Sequence, residues 1–498
     1  MTQRTDNDAA GGVAAQAAPE WVRGESVCRA TTDTLPPMPE AQDRGPGAFG
    51  STPGWRDSLP AWLDRRCRQS LWLSLGVSVV VGVVYADHLG SALRFYDEHV
   101  YVAITDNLVR HATFSSDGVH ATAYQAPGWP LLLAAVHVLG GGIVAYRLVN
   151  VALFASCVAL GWWIAREMGG KAVAALAAPM LALYPLAVFT EETLYPETLA
   201  SALLLAGLAA AVRARRASGP SWWAVGAGTS FGALVLVVPN AWIPLAAVLV
   251  WLALGRRRLW HVATCVLLVA LALVSVWVVR NAVTFHEFIP VTDANGYNLL
   301  LANSEDASVR SGVNPDISLY TAAAEDQGIT SEVGLQSFYR TEALDWIRAH
   351  PGRASELYGE RVLDYFAPFD ELATISQRSA REDLLATLTY VPLLVLLALR
   401  LLRWRSDRPG SLERLAIWIY LLNAPVAAVF VTRIRYRVPF DELLILVAAS
   451  SLVSLLAVRP GGRHAAAFRG APGHVPAHAH GHGRAVAAAS RPPGGGAP

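Results

Sequence analysis

Apolar runs of roughly bilayer-spanning length recur along this chain at about 70–87, 146–165, 172–190, 197–212, 221–238, 240–254, 259–279, 384–402, 412–431 and 438–457. A helix needs about 20 apolar residues to cross a bilayer core, and shorter runs are accommodated by local thinning. The expected fold is therefore an all-α, polytopic membrane bundle. Composition agrees, with 53% hydrophobic and 16% charged residues and a mean hydropathy of +0.35. The net charge of +1, with no basic face interleaved with aromatics, argues against a nucleic-acid partner.

A further apolar run, Pro127 to Gly142, is short and carries Pro127 and Pro130. Runs of this length are more often interfacial or re-entrant than spanning. Arginine placement tests the choice. If the run does not cross, Arg65/Arg66/Arg68, Arg166/Lys171, Arg213/Arg215/Arg216, Arg256/Arg257/Arg258 and Arg400/Arg403/Arg405 share one side, which the positive-inside rule makes cytoplasmic. If it does cross, every later boundary inverts. The expected topology is ten spans with both termini cytoplasmic. Four segments then converge on the outer face: the loop 88–145, the turn Thr190–Glu197, the segment from Arg280 to about Asp383, and the turn Arg433–Arg437.

Residues 1–68 are Ala/Gly/Pro-rich and read as a disordered cytoplasmic extension without a cleavable leader, the first apolar run staying as an anchor. The membrane core follows over 69–279. Residues 280–383, amphipathic near Phe338–His350 and Glu356–Phe366, suggest a small helical cap outside the membrane. Membrane helices resume over 384–458. Residues 459–498 form a Gly/Ala/His-rich tail whose His464, His474, His478, His480 and His482 fit a disordered segment better than a metal site. Cys28, Cys67, Cys157 and Cys265 are scattered and suggest neither a disulfide framework nor a metal set.

The charge that most needs explaining lies in Arg94-Phe95-Tyr96-Asp97-Glu98-His99-Val100-Tyr101, directly after the first apolar run. A carboxylate at a membrane boundary carries a desolvation cost and is usually retained for a partner or for chemistry. The plainer alternative is that Asp97 and Glu98 cap a helix that begins here.

Several segments together resemble the GT-C glycosyltransferases, in particular the bacterial relatives of protein O-mannosyltransferases and of lipid A aminoarabinose transferases. Tyr96-Asp97-Glu98-His99-Val100-Tyr101 resembles their first-loop Asp-Glu-x-x-Tyr motif, and Ala126-Pro127-Gly128-Trp129-Pro130-Leu131-Leu132-Leu133 their Pro-Pro-Gly-Tyr-Pro-Leu-Leu-Leu run. Glu197-Thr198-Leu199, after Tyr184-Pro185, is similar to the second-loop acidic position. Asn295-Gly296-Tyr297-Asn298-Leu299 with Ala302-Asn303, then Ala343–Pro351 and Arg435-Tyr436-Arg437-Val438-Pro439, match later family segments in order, though Ala302 replaces the usual glycine.

The resemblance implies transfer of a sugar from a polyprenyl-phosphate carrier to an acceptor outside the cytoplasmic membrane. Such a site needs a base for the acceptor hydroxyl and cations for the leaving phosphate. Asp97 is the expected base, Glu98 the second candidate. Glu197 orients a substrate or shares the base role, with Glu191 and Glu192 as competitors. Tyr101 belongs to the same motif. Arg433, Arg435 and Arg437, then Arg280 and Arg147, are the phosphate candidates, because guanidinium forks onto two oxygens and stays charged. Headgroup anchoring and snorkelling are the alternatives for these arginines. Asn298 and Asn303 suit sugar hydroxyls or turns. Tyr124, Trp129 and Tyr297 suit a sugar, a prenyl chain or an interfacial belt. No metal is expected to be required, although a divalent ion stays open. A transporter or lipid flippase, and a non-catalytic envelope assembly protein, are the competing classes. The absence of an internal repeat and the gathering of charge on one face weigh against the transporter.

The topology is open to direct measurement. Cysteines placed at Gly169 and Gly219 are expected to resist membrane-impermeant thiol reagents applied from outside. Labelling at Gly169 from outside would invert every later boundary.

Overall fold

Each of the ten long apolar runs is helical in the structure, a computed structural model describing residues 55–217, 221–254, 259–309, 315–369 and 380–457. The N-terminal extension up to residue 54 and the histidine-bearing tail lie outside the described residues. The helices are α1 (Trp55–Leu89), α2 (Tyr96–His111), α3 (Gly128–Val138), α4 (Ile143–Gly169), α5 (Lys171–Ala182), α6 (Pro185–Glu192), α7 (Glu197–Arg216), α8 (Trp222–Val237) and α9 (Trp242–Ala253). They continue with α10 (Leu259–Phe285), α11 (Asn295–Ala302), α12 (Ser318–Asp326), α13 (Glu332–Ala349), α14 (Pro351–Asp364), α15 (Ala380–Leu402), α16 (Ser411–Ala427) and α17 (Val438–Ala457).

Six of the described helical segments are long and apolar enough to cross a bilayer: Leu59–Leu89, Ile143–Gly169, Glu197–Arg216, Leu259–Phe285, Ala380–Leu402 and Ile434–Ala457. A seventh candidate is broken, because α5 and α6 meet at 51°. The break has a local cause. Tyr184 sits in the extended region that a residue before proline prefers, and Pro185 has no N–H with which to continue α5. The remaining runs, in α8, α9 and α16, form helices of 16, 12 and 17 residues. The proline-bearing run forms α3, whose 11 residues reach only about 16 Å against a core of about 30 Å, but α8 and α9 fall short by the same measure, so by length the described helices give six or seven spans and not the expected ten.

One boundary requires correction. Residues 55–68, expected to belong to the disordered extension, continue α1. Their charges hide a stripe at helical spacing, Leu59, Leu63 and Cys67, of which Leu63 packs on the core and Cys67 is buried.

α17 runs through the middle of the bundle, with every residue from Val438 to Ser451 buried. Its Asp441 and Glu442 are shielded there from the surroundings of the bundle, and Asp441 pairs with Arg437 at 3.0 Å. Around it small residues bring backbones close. A Cβ at Gly228 would come 2.7 Å from the Val266 carbonyl, and one at Gly232 would come 3.0 Å from the Ala270 backbone, so α8 and α10 meet through glycine. At one end Arg400 forks onto Glu413 at 2.7 and 2.9 Å and reaches Asp407 at 3.0 Å, tying α15 to α16; Ser454 of α17 bonds Asp407 at 2.6 Å.

The segment after α10 is helical, as expected. α13 and α14 cover the two amphipathic stretches, and Leu300, Tyr339 and Ala343 build a small separate core with Tyr297 and Phe338 packed against it. Gly296 lets α11 touch α13, since a Cβ there would lie 2.0 Å from the Gln336 carbonyl. This segment is clasped to the loop between α2 and α3: Glu332 accepts from the Thr122 hydroxyl at 2.6 Å and the Ala123 N–H at 2.7 Å, and the Asp293 N–H donates to Ala123 O at 2.9 Å.

Burial, then the neighbouring Glu332 charge, pushes the Asp293 carboxyl up from 3.8 to about 7. Between those values the folded state keeps a proton that the unfolded chain has lost, so this group makes stability fall as pH rises from about 4 through about 7. Asp293→Asn should remove that contribution. Thermal melting between pH 5 and 8 should show a shallower decline in the variant than in the parent; superimposable profiles would mean that Asp293 ionises freely in the fold.

Candidate active site

The site is organised by Glu98, which is fully buried at the start of α2. Its Oε2 accepts the N–H groups of Arg94 at 2.6 Å and Phe95 at 3.0 Å, while Oε1 accepts the N–H of Leu194 at 2.9 Å. Leu194 lies in the turn between α6 and α7, and its carbonyl accepts from Trp129 Nε1 at 2.9 Å. One carboxylate therefore caps α2 and fastens its start to the turn between α6 and α7. The capping role that the sequence left open for both acids falls to Glu98, and Trp129, fully buried, is a brace for the same turn.

Asp97, one position earlier, is turned about 100° away around the helix, toward the opening. Its Oδ2 accepts from Arg435 Nη1 at 2.7 Å, and each side chain is 26% exposed. Arg435 comes from the short turn Ile434–Arg437 that precedes α17. Its Nε lies 4.0 Å from Glu197 Oε1, its guanidinium 4.6 Å from the centre of the Tyr195 ring and 5.1 Å from that of Tyr436. Tyr101, one helical turn after Asp97, is buried edge-on to Tyr195 at 6.5 Å. Burial, and then Glu197, raises the Tyr101 hydroxyl well above its usual range, and burial does the same for Tyr195. Both phenols stay neutral. Glu197 Oε2 and Arg435 Nε are buried with no hydrogen-bond partner, so the cluster retains unused polar capacity.

Tyr124, in the loop between α2 and α3, and Tyr297 of α11 meet edge-on at 6.0 Å.

Other expected site residues lie elsewhere. Arg147 is fully buried and donates to the carbonyls of Gly90 at 3.3 Å, Ala92 at 2.5 Å and Glu192. Arg437 donates to the Tyr365 and Ala367 carbonyls at 2.6 and 2.7 Å, pairs with Asp441 at 3.0 Å and lies over the Tyr390 ring. Arg280 holds the Thr122 carbonyl at 3.0 Å and lies 4.7 Å from the Trp277 ring centre. These three arginines brace the backbone. Arg433 is half-buried ahead of the turn.

Asn298 bonds back to the Ala294 carbonyl and Asn303 to the Leu299 carbonyl, so both close turns of their own segment. Glu191 and Glu192 are fully buried, and their carboxylates find no hydrogen bond among the described residues. Glu191 occupies the space that a side chain at Gly82 of α1 would fill. Among the described residues no group of three or more His, Cys, Asp or Glu is arranged to hold a metal ion. Tyr195 and Tyr436 were not singled out from the sequence; their only signal was adjacency to Pro196 and Arg435.

No protein-family model and no curated protein sequence matches the chain. Among solved structures it is similar to the oligosaccharyltransferase of Archaeoglobus fulgidus in the apo form, at 15% identity over 78% of this chain and 50% of that one, with a TM-score of 0.49. It is also similar to ArnT from Cupriavidus metallidurans bound to undecaprenyl phosphate, at 15% identity over 77% and 76% of the two chains and a TM-score of 0.40. AglB from A. fulgidus with an inhibitory peptide and a dolichol-phosphate gives 13% identity, 77% and 50% coverage, and a TM-score of 0.44. Both neighbours are GT-C glycosyltransferases, and this chain matches about half the length of the archaeal enzyme. At this level of similarity, the chemistry has to be read from the chain's own residues.

The bracing role of Glu98 separates it from Asp97 in experiment. Glu98→Gln places an amide NH₂ against at least one backbone N–H that now donates to a carboxylate, leaving it unsatisfied at a cost of about 1–3 kcal/mol. Its melting temperature should fall clearly below that of Asp97→Asn. Equal melting temperatures for the two variants would remove the distinction.

Proposed function

We propose that the protein is an integral membrane glycosyltransferase that moves a sugar from a polyprenyl-phosphate carrier to a hydroxyl on an extracytoplasmic protein, glycolipid or wall polysaccharide. The observation that carries this reading is the Asp97–Arg435–Glu197 cluster, where a base, a guanidinium and a second carboxylate meet at a half-open, aromatic-lined mouth.

In this reading the reaction is a single displacement with inversion. The acceptor oxygen bonds to the anomeric carbon as the carbon–oxygen bond to the phosphate breaks, the electron pair leaving with the phosphate. The acceptor proton goes to Asp97, a step typically worth 10²–10⁴-fold. Arg435 forks onto the departing phosphate, whose growing charge it meets better than it meets the ground state. Glu197 offers its unpartnered Oε2 to a hydroxyl of sugar or acceptor. Tyr101 and Tyr195 lower the local polarity, which strengthens each charge interaction. The expected setting is the outer face of the cytoplasmic membrane with both termini inside.

Asp97→Asn keeps shape and removes basicity. In reconstituted protein supplied with polyprenyl-phosphate sugar it should lower kcat by at least about 10²-fold while donor binding persists. Arg435→Ala should raise the apparent KM for the lipid donor more than that for the acceptor. Near-normal turnover in Asp97→Asn with loss in Glu197→Gln would move the base to Glu197, and full activity in all of these variants would remove the catalytic reading.

A further inference from the structure

At the end of the bundle away from Asp97, the third and fourth turns of α1, the first turn of α5 and the C-terminal part of α4 line a half-open cavity of about 320 Å³. Arg65, Arg68, Arg166 and Lys171 line it, with Trp162 and the lone acid Asp64. Its position follows from α4. Arg147, in the first turn, braces carbonyls beside the active site, and Arg166 in the last turn faces the cavity. Nineteen helical residues separate them, about 28 Å, close to the roughly 30 Å of a hydrocarbon core. The cavity and the acidic cluster therefore belong to opposite membrane faces.

Four cations around a hollow with one carboxylate form an anion site. Among the described residues none of the four is ion-paired, and the nearest glutamate on α4, Glu167, is held instead by Arg216. Trp162 fixes one wall: its Nε1 donates to the Cys67 carbonyl at 3.2 Å, and the Arg166 guanidinium lies 5.7 Å from its ring centre. The neighbouring surface of α1 decides the kind of anion. Trp72 and Leu73 are each 70% exposed, and Val80 and Val84 continue an outward apolar stripe along the helix. A phosphate in the cavity would have its acyl chains laid along that stripe, whereas a soluble anion would make no use of it.

We propose that this cavity binds the phosphate headgroup of an anionic glycerophospholipid in the leaflet opposite the active site. Basic pockets between membrane helices recognise such headgroups, and guanidinium groups match phosphate oxygens in pairs. The proposal is independent of the glycosyltransferase reading and is tested without an activity assay.

Full-length protein in detergent would be titrated with phosphatidylglycerol, phosphatidylcholine or inorganic phosphate, and bound lipid counted by native mass spectrometry. The parent should retain phosphatidylglycerol in preference to phosphatidylcholine, and inorganic phosphate at the same concentration should not displace it. Arg65→Gln/Arg68→Gln/Lys171→Gln should weaken phosphatidylglycerol binding on the order of 100-fold. The control Arg403→Gln/Arg405→Gln/Arg408→Gln removes three charges from the segment whose Gly410 approaches the end of α4, and it should bind as the parent does. Should the triple variant not accumulate, the single change Arg68→Gln carries the same test, with a loss of about fivefold expected. Equal loss in the control, undiminished binding in the cavity variants, or displacement by inorganic phosphate would each overturn the proposal.

Discussion

A backbone carbonyl left open and buried where a helix ends must find a donor inside the protein, and in this fold arginine supplies it. Arg147 gathers the carbonyls at the end of α1 and the end of α6. Arg437 gathers those of Tyr365 and Ala367, and Arg361 those of Ala302 and Ala428, where α11 and α16 stop. Each guanidinium offers five donors in a fixed fork, so one side chain can close two or three open ends. The irregular segments at the mouth of the bundle can therefore stay irregular without exposing unpaired backbone. Burial draws Arg361 down to about 10, which still leaves it charged at neutral pH.

Arg435 stands apart because its neighbours are side chains. It bonds Asp97, approaches Glu197, and is flanked by the rings of Tyr195 and Tyr436. A guanidinium braced by carbonyls is part of the scaffold. One held by carboxylates at a half-open mouth can exchange partners, because an incoming phosphate presents the same paired oxygens.

Much of this architecture was legible in the sequence, and the gaps have physical causes. The apolar runs became helices because their periodicity is local, but 172–190 was read as one run and the break at Tyr184-Pro185 was missed, although the proline was the signal for it. The amphipathic stretches after α10 emerged as α13 and α14 because their periodicity too is local. Asp97 and Arg435 were both singled out, yet nothing local showed that they touch across 338 positions. The sequence reading also gave phosphate roles to Arg147, Arg280 and Arg437, because a backbone carbonyl has no residue type by which to foresee it as the acceptor. Glu98 was obscure for the same reason, since its distant partner is the N–H of Leu194. Residues 55–68 went unrecognised because their arginines and aspartates interrupt the apolar residues on α1's first turns, leaving no continuous apolar run.

The Glu98 clasp has a mechanical consequence. With the start of α2 and the Leu194 turn joined through one buried carboxylate, Asp97 and Tyr195 ride on a single stiff lever, and Glu197 begins the helix directly behind it. Arg435 belongs to a different part of the chain, the turn into α17, and meets that lever through side chains. Any widening of the mouth along this seam parts the guanidinium from both carboxylates at once, so the contacts of one arginine report whether lever and turn are together or apart.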